Sequence, residues 1–419
     1  MIKLKIGILL ILTLILSDKI FAQAGQTAVP FLLIGPNSRN AGMAETGAGL
    51  VNDASAMYWN PAGLGFQDGI DVNITHSPWL PGLGLSDLFY DYLSGKYHVS
   101  KLKGTLGMSV TYLNIGEIIQ TDEFGNQTGS YKAFDMAAAI GYGTKVTRDL
   151  GVGVVVRFIY SKLEGATTVG NEKGTGIAYD MSFDISALYR PTKTKLKFLN
   201  DRFGAGLNFS NIGPKVTYVD AAQADPLPSN VRLGLAYDVV KTDFNNLTIT
   251  ADFNKLIVHR NDDGTSDPLY KALFSTWKIG FGNALATVQT SIGAEYWYGN
   301  PKLIGLRGGY FYEDPNNGNR RFFTLGAGLR YSLYGFDFSY ISTVEQNHPL
   351  ANTLRFTLSV AINNPKTTDK SKDIPKDKDG DKLNQNKDQN NDQGQKKDDP
   401  NKDNQNKDNS QDKGNDQKK

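Results

Sequence analysis

The sequence predicts an all-β protein: a 14-stranded antiparallel transmembrane β-barrel with an N-terminal hatch or plug and a disordered C-terminal tail. Three observations carry this expectation. First, apolar and polar residues alternate through most of the chain. In the last such segment Leu354, Phe356, Leu358, Val360 and Ile362 share one face, and Thr353, Arg355, Thr357 and Ser359 share the other. Second, the alternating segments run to about 10–14 residues, nearer a membrane strand than the five or six usual in soluble sheets. Third, the polar face carries glycine and both signs of charge, including Arg157, Asp180, Asp238, Asp252, Arg330 and Arg355, as a hydrated lumen permits. A soluble β-sandwich shares the alternation but turns its apolar face inward.

Composition narrows the function classes. The 419 residues hold 45 Lys+Arg against 43 Asp+Glu and no cysteine. A net charge of +2 gives no electrostatic case for nucleic-acid binding. Without cysteine there is no disulfide scaffold, thiolate metal site, cysteine nucleophile or lipoprotein anchor.

Residues 1–22 read as a signal peptide. Lys3 and Lys5 precede an apolar run from Ile6 to Leu16, with Ala22 and Ala24 as small residues for cleavage. That run is too short for the roughly 20 residues of a spanning helix. Residues 23–66 do not alternate and are rich in small residues. Asp53 is a candidate N-cap for a short helix from Ala54 to Trp59, stopped at Asn60-Pro61. This segment reads as a hatch inside the barrel or, more simply, as a periplasmic extension.

Residues 67–363 read as the barrel. Its 14 predicted strands begin at 70–76 and end at 351–363, and include long segments at 129–144 and 173–190. An even strand number places both termini on the periplasmic side. Turns such as Ser100–Lys103 and Lys145–Asp149 are short, whereas Gly213–Leu227 and Val258–Val288 are long; Pro191–Arg202 is a long link on the short side. Residues 364–419 are Lys, Asp, Asn and Gln with almost no apolar side chains, so they are expected to be disordered. Asp377–Asp381 hints at a calcium loop, but the ligand register around Gly380 fails.

Two stretches resemble a known family. Ala54–Leu64, containing Asn60, Pro61 and Ala62, resembles the hatch motif of FadL-like outer-membrane barrels. Thr27–Ile34, Arg39–Met43, Ser77–Pro81 and Leu88–Leu93 resemble PorV, the type IX secretion branch of that superfamily. The resemblance covers residues 27–363 and implies a barrel in the cell outer membrane. It further implies receipt of secreted cargo proteins by their C-terminal signals and transfer to a surface attachment complex. Its partners would then be cargo, the translocon barrel, attachment-complex proteins and outer-membrane lipids. A FadL-type transporter of long-chain fatty acids or other hydrophobic compounds is the alternative, and a structural barrel with a tethering tail is a third.

Enzyme signatures, cofactor sites and metal sites are not expected. His76, His98, His259 and His348 are scattered, and adjacent His76 and Ser77 point to opposite faces of a strand. The pairs Gly141/Gly143, Gly151/Gly153, Gly204/Gly206 and Gly326/Gly328 read as small lumen-facing positions that let a plug approach. Two outer loops are apolar. One holds Trp79, Leu80, Leu83 and Leu85. In the other, Asp267-Pro268 starts a helix presenting Leu269, Leu273 and Trp277. Partner contact, rim packing and membrane dipping all fit such loops. Tyr296, Trp297, Tyr298, Tyr310 and Tyr312 read as an interfacial aromatic girdle.

Overall fold

The computed structural model describes residues 27–362, apart from 85–86, 164–166, 170–171, 175, 220–222, 262, 279 and 347. The expected signal peptide and tail lie outside the described residues, as does Leu85.

Among the described residues, 14 antiparallel strands close into one barrel. They are β1 (Ile70–Pro78), β2 (Phe89–Val99), β3 (Gly104–Thr121), β4 (Gln127–Lys145), β5 (Leu150–Lys162), β6 (Ile177–Tyr189) and β7 (Phe203–Ile212). The second half comprises β8 (Asn230–Lys241), β9 (Asn245–Leu256), β10 (Val288–Tyr298), β11 (Ile304–Tyr312), β12 (Arg321–Tyr331), β13 (Tyr334–Thr343) and β14 (Leu354–Ile362). Closure comes from β1 on β14, with Ile70 opposite Ile362 and His76 opposite Phe356. One predicted strand is divided: the stretch expected from 173 begins its barrel strand at Ile177, and Glu172–Gly174 pairs instead with Thr167–Val169.

Burial is inverted relative to a soluble sheet. On β1, Asp71, Asn73, Thr75 and Ser77 are buried, whereas Ile70, Val72 and Ile74 are exposed. An apolar outer wall around a polar interior is what a lipid solvent selects, because the closed ladder satisfies every strand's backbone without water. Among the described residues, no helix is long and apolar enough to cross a membrane.

One end of the barrel carries short links, such as Ser100–Leu102, and the other carries long loops. The loop between β9 and β10 holds two short helices, α3 (Leu269–Ser275) and α4 (Phe281–Ala286). Pro268 precedes α3 as expected, and buried Asp267 accepts hydrogen bonds from Ser275 Oγ and Lys271 Nζ, both at 2.7 Å.

Residues 27–67 pass through the barrel interior. Their path starts at the long-loop end, where the Ala28 N–H donates to the Pro226 carbonyl, and finishes beside Thr144 and Gly151 near the short turns. The strand phase puts Ile70 and Ile362 at the same end. Thr27–Ile34 nevertheless sits at the opposite end, because the chain traverses the lumen before β1 begins. The expected helix from Ala54 is shorter: α2 in the hatch spans Ala56–Trp59, following α1 at Ser38–Ala41. Asp53 closes the turn before α2 by accepting from the Ser55 N–H at 2.9 Å, and is not the residue at the N-cap.

Candidate functional site

Asn60, Pro61 and Ala62 are all buried where the hatch meets the wall. Proline at 61 holds Asn60 extended (φ −168°), which ends α2, and itself opens a 3-10 helix over Pro61–Phe66. Asn60 caps that helix, accepting from the Ala62 N–H at 3.1 Å. Its amide donates to the Ala48 carbonyl at 2.9 Å and the Ala187 carbonyl at 3.0 Å, tying two hatch turns to β6. The motif is thus a local joint between hatch and wall.

Glycine on the wall makes room for this joint. Any side chain at Gly206 would collide with the Ala48 carbonyl, and one at Gly153 would strike Pro61 and Ala62. Gly141 faces Met57, and Gly326 abuts Gly42. The expectation of hatch contact holds at Gly141, Gly143, Gly151, Gly153, Gly204, Gly206 and Gly326; Gly328 also faces the lumen but leaves space for Arg307 and Asp337.

Charge fastens the other side of the hatch. Arg39 of α1 donates to both carboxylate oxygens of Glu295 on β10, at 2.8 and 2.7 Å, and to Asp53 at 2.7 Å. Glu295 also accepts from Arg307 Nε at 2.9 Å, and Arg307 pairs with Asp337 at 2.8 Å. Asp252 accepts from the backbone N–H groups of Gly47 and Ala48, each at 3.0 Å. Burial favours the neutral acid at Asp53, but Arg39 and Ser55 outweigh it and hold this carboxyl below its usual 3.8. Pairing of these charges was not legible in the sequence, since Arg39 and Glu295 stand 256 residues apart.

Trp297 corrects the girdle expectation. It points inward, 4% exposed, and stacks between Arg307 at 5.2 Å and Arg330 at 5.0 Å. Its neighbours Tyr296 and Tyr298 take the opposite face by strand alternation, as do Tyr310 and Tyr312 on β11. Likewise His76 is outside, 2.7 Å from Asp91, while Ser77 is buried.

At the long-loop end the lumen opens into a cavity of ≈ 830 Å³. Phe31 and Ile34 of the hatch line it together with Leu88, Leu113, Phe322 and Leu350. Here the inward face of the wall turns apolar. The signal for this was present as doubled aromatics, Phe89-Tyr90, Phe311-Tyr312 and Phe322-Phe323, which break the apolar–polar alternation.

The loop residues divide between this cavity and the surface. Trp79 and Leu80 are half-buried, pack against the core clusters of both hatch and wall, and line the cavity. Leu83 is 51% exposed. Leu273 is half-buried, whereas Trp277 is half exposed beside Lys255, whose ammonium stands 4.7 Å from the indole. The residues missed were Tyr270 and Phe274, exposed at 74% and 70%. With Trp277 they follow a four- and then three-residue step, one helix face.

Comparison with solved structures finds outer-membrane transporters. The Ralstonia pickettii toluene transporter TbuX is 13% identical with a TM-score of 0.47, covering 80% of this chain and 99% of its own. The P. putida toluene transporter TodX is 13% identical with a TM-score of 0.49, covering 79% and 99%. A Pseudomonas aeruginosa FadL homologue is 14% identical with a TM-score of 0.44, covering 81% and 99%. No curated protein matches the sequence. The family described as type IX secretion system protein PorV matches residues 19–263, which takes in the hatch, the Trp79 loop and nine of the strands. This match spans more than half of the chain: the protein is a 14-stranded outer-membrane β-barrel that belongs to the PorV family of type IX secretion system proteins.

Proposed function

We propose that this barrel receives exported cargo proteins by their C-terminal signal and passes them to the surface attachment complex, working beside the translocon barrel of type IX secretion. The family match over residues 19–263 carries the reading. The packed interior supports it. A hatch held by glycine-close contacts and buried ion pairs leaves the lumen ill suited to threading a polypeptide, so cargo is met at a rim. The long-loop end is assigned to the cell exterior and the short-turn end, with Ile362, to the periplasm, by the usual loop asymmetry of such barrels. Thr27–Ile34 then lies at the outer end. No catalytic step belongs to this reading.

The ≈ 830 Å³ apolar cavity favours a second reading, a transporter of long-chain fatty acids or other hydrophobic compounds. A deletion strain separates the two. The secretion reading expects cargo stranded in the periplasm with long-chain fatty-acid uptake intact. Normal surface display of cargo together with failed uptake would replace it by the transporter.

A further inference from the structure

At the short-turn end, three neighbouring links carry an excess of positive charge. They join β2 to β3, β4 to β5 and β6 to β7, on consecutive strands along one side of the rim. Five of their lysines are exposed: Lys101 and Lys103 in the first link, and Lys193, Lys195 and Lys197 in the long third one. The acids of these links are Asp149 and Asp201, and Asp149 is already engaged by Arg148 and Thr192. The third link, residues 190–202, is tied to itself and to its neighbour. The Asp201 N–H donates to the Pro191 carbonyl at 2.7 Å, the Thr194 N–H donates to Asn200 Oδ1 at 2.8 Å, and Thr192 Oγ1 donates to Asp149 at 2.6 Å. Like charges held this close repel one another, and a counter-charge from outside the chain relieves them.

Apolar side chains stand among these lysines and lie toward the lipid side. Leu102, Leu196 and Phe198 are 52%, 55% and 59% exposed. Tyr142 on β4 shares the outward face with Ile140, and its hydroxyl donates to the Leu102 carbonyl at 2.6 Å. Tyr237 on β8, on the outward face with Leu235, donates to the Phe198 carbonyl at 3.3 Å. Two tyrosines of the lipid-facing wall thus hold two links over the outside of the rim. Lysine beside exposed leucine and phenylalanine, at the edge of an apolar wall, suits a headgroup layer. There the apolar groups enter the acyl boundary and the ammonium groups stay with the phosphates. A soluble acidic partner would need the cations but not Leu196 and Phe198.

We propose that this side of the rim binds anionic phospholipid of the periplasmic leaflet, with Lys193, Lys195 and Lys197 on headgroup phosphates and Leu196 and Phe198 in the acyl boundary. The loop asymmetry of such barrels gives the leaflet. Anchoring on one side sets the tilt of a spanning protein, independently of how cargo is handled.

The test uses the full barrel purified in a neutral detergent at physiological salt, with retained lipid counted by native mass spectrometry. Its probes are phosphatidylglycerol and phosphatidylcholine with identical acyl chains, and a soluble glutamate peptide. Phosphatidylglycerol is expected to be retained about tenfold more strongly than phosphatidylcholine, as several lysines near an anionic headgroup provide. Combining Lys193→Gln, Lys195→Gln and Lys197→Gln should bring that ratio to about one. Combining Leu196→Ser and Phe198→Ser should weaken retention of phosphatidylglycerol about threefold or more. Both variants should keep heat-modifiable migration, because these positions are exposed and lie outside the strands. Equal retention of the two lipids by wild type, or a preference that survives in the glutamine variant, would overturn the proposal. Unchanged retention in the serine variant would also overturn it, and binding of the glutamate peptide would then give the patch to an acidic protein.

Discussion

Glu295 on the barrel wall accepts two parallel hydrogen bonds from Arg39 of the hatch, at 2.8 and 2.7 Å, and both side chains are buried. Removing one side of a buried pair costs up to about 3–5 kcal/mol when the remaining charge is left alone, and less here because Arg39 keeps Asp53 and Arg307 keeps Asp337. Glu295→Ala should therefore loosen the hatch, since Arg39 and Arg307 both lose their shared acceptor. The expected readout is faster proteolysis within residues 27–67 in detergent, with heat-modifiable migration of the barrel retained. Unchanged proteolysis would show that the pair does not fasten the hatch.

Gly206 tests the steric joint. Gly206→Leu places a side chain where the Ala48 carbonyl lies, and backbone cannot yield there as a flexible side chain could. Displacement of the hatch should appear as ion conductance in planar bilayers that wild type lacks. A variant as silent as wild type would mean that the hatch shifts without opening the lumen.

Asn60→Ala removes one helix cap and two donations to carbonyls. At roughly 1 kcal/mol for each bond, the expected loss is on the order of 2–3 kcal/mol. Thermal unfolding followed by tryptophan fluorescence should register it, because Trp59 lies next in sequence and is fully buried.

The two loops should respond differently to charge. Trp79→Asp is expected to destabilise the long-loop end, since Trp79 packs on the core clusters there. Phe274→Asp, at a 70% exposed position, should leave stability within about 0.5 kcal/mol and weaken co-purification of secretion partners. Full retention of partners by Phe274→Asp would remove the α3 face from partner contact.

Acid should release the hatch and the α3 loop only at low pH. Asp53 and Asp267 both have folded values depressed below 3.8, so each contributes stability above that value and loses it as pH falls. At Asp267, burial works against the charge, but hydrogen bonds from Lys271, Ser275 and Asn261 bring the value down to about 2. These two groups should leave proteolytic resistance flat from pH 8 to about 5, with loss setting in below about 4. A transition near pH 6 would have to come from other groups.

The chain alone determined the barrel. Alternation sets which face meets lipid, and closing a sheet in a membrane admits few other solutions, so the 14 strands were readable with their phase. The same alternation put Ser77 and His76 on opposite faces, and the glycine pairs marked where a plug approaches. Asn60-Pro61-Ala62 was legible because a proline and a cap act on their immediate neighbours.

Tertiary structure decided the rest. Trp297 was misread because its aromatic type suits an interface, whereas its parity on β10 sends it inward between two arginines. Asp53 serves a turn and an ion pair because the hatch path brings it to Arg39. Leu273 gave way to Tyr270 and Phe274 as the exposed face of α3, since rotation of a helix is fixed by what it packs against. Arg39 meets Glu295 through closure of a sheet that joins residues hundreds of positions apart. Local periodicity is a property of neighbouring residues, but pairing across a lumen depends on register, tilt and the course of the hatch, which no single segment encodes.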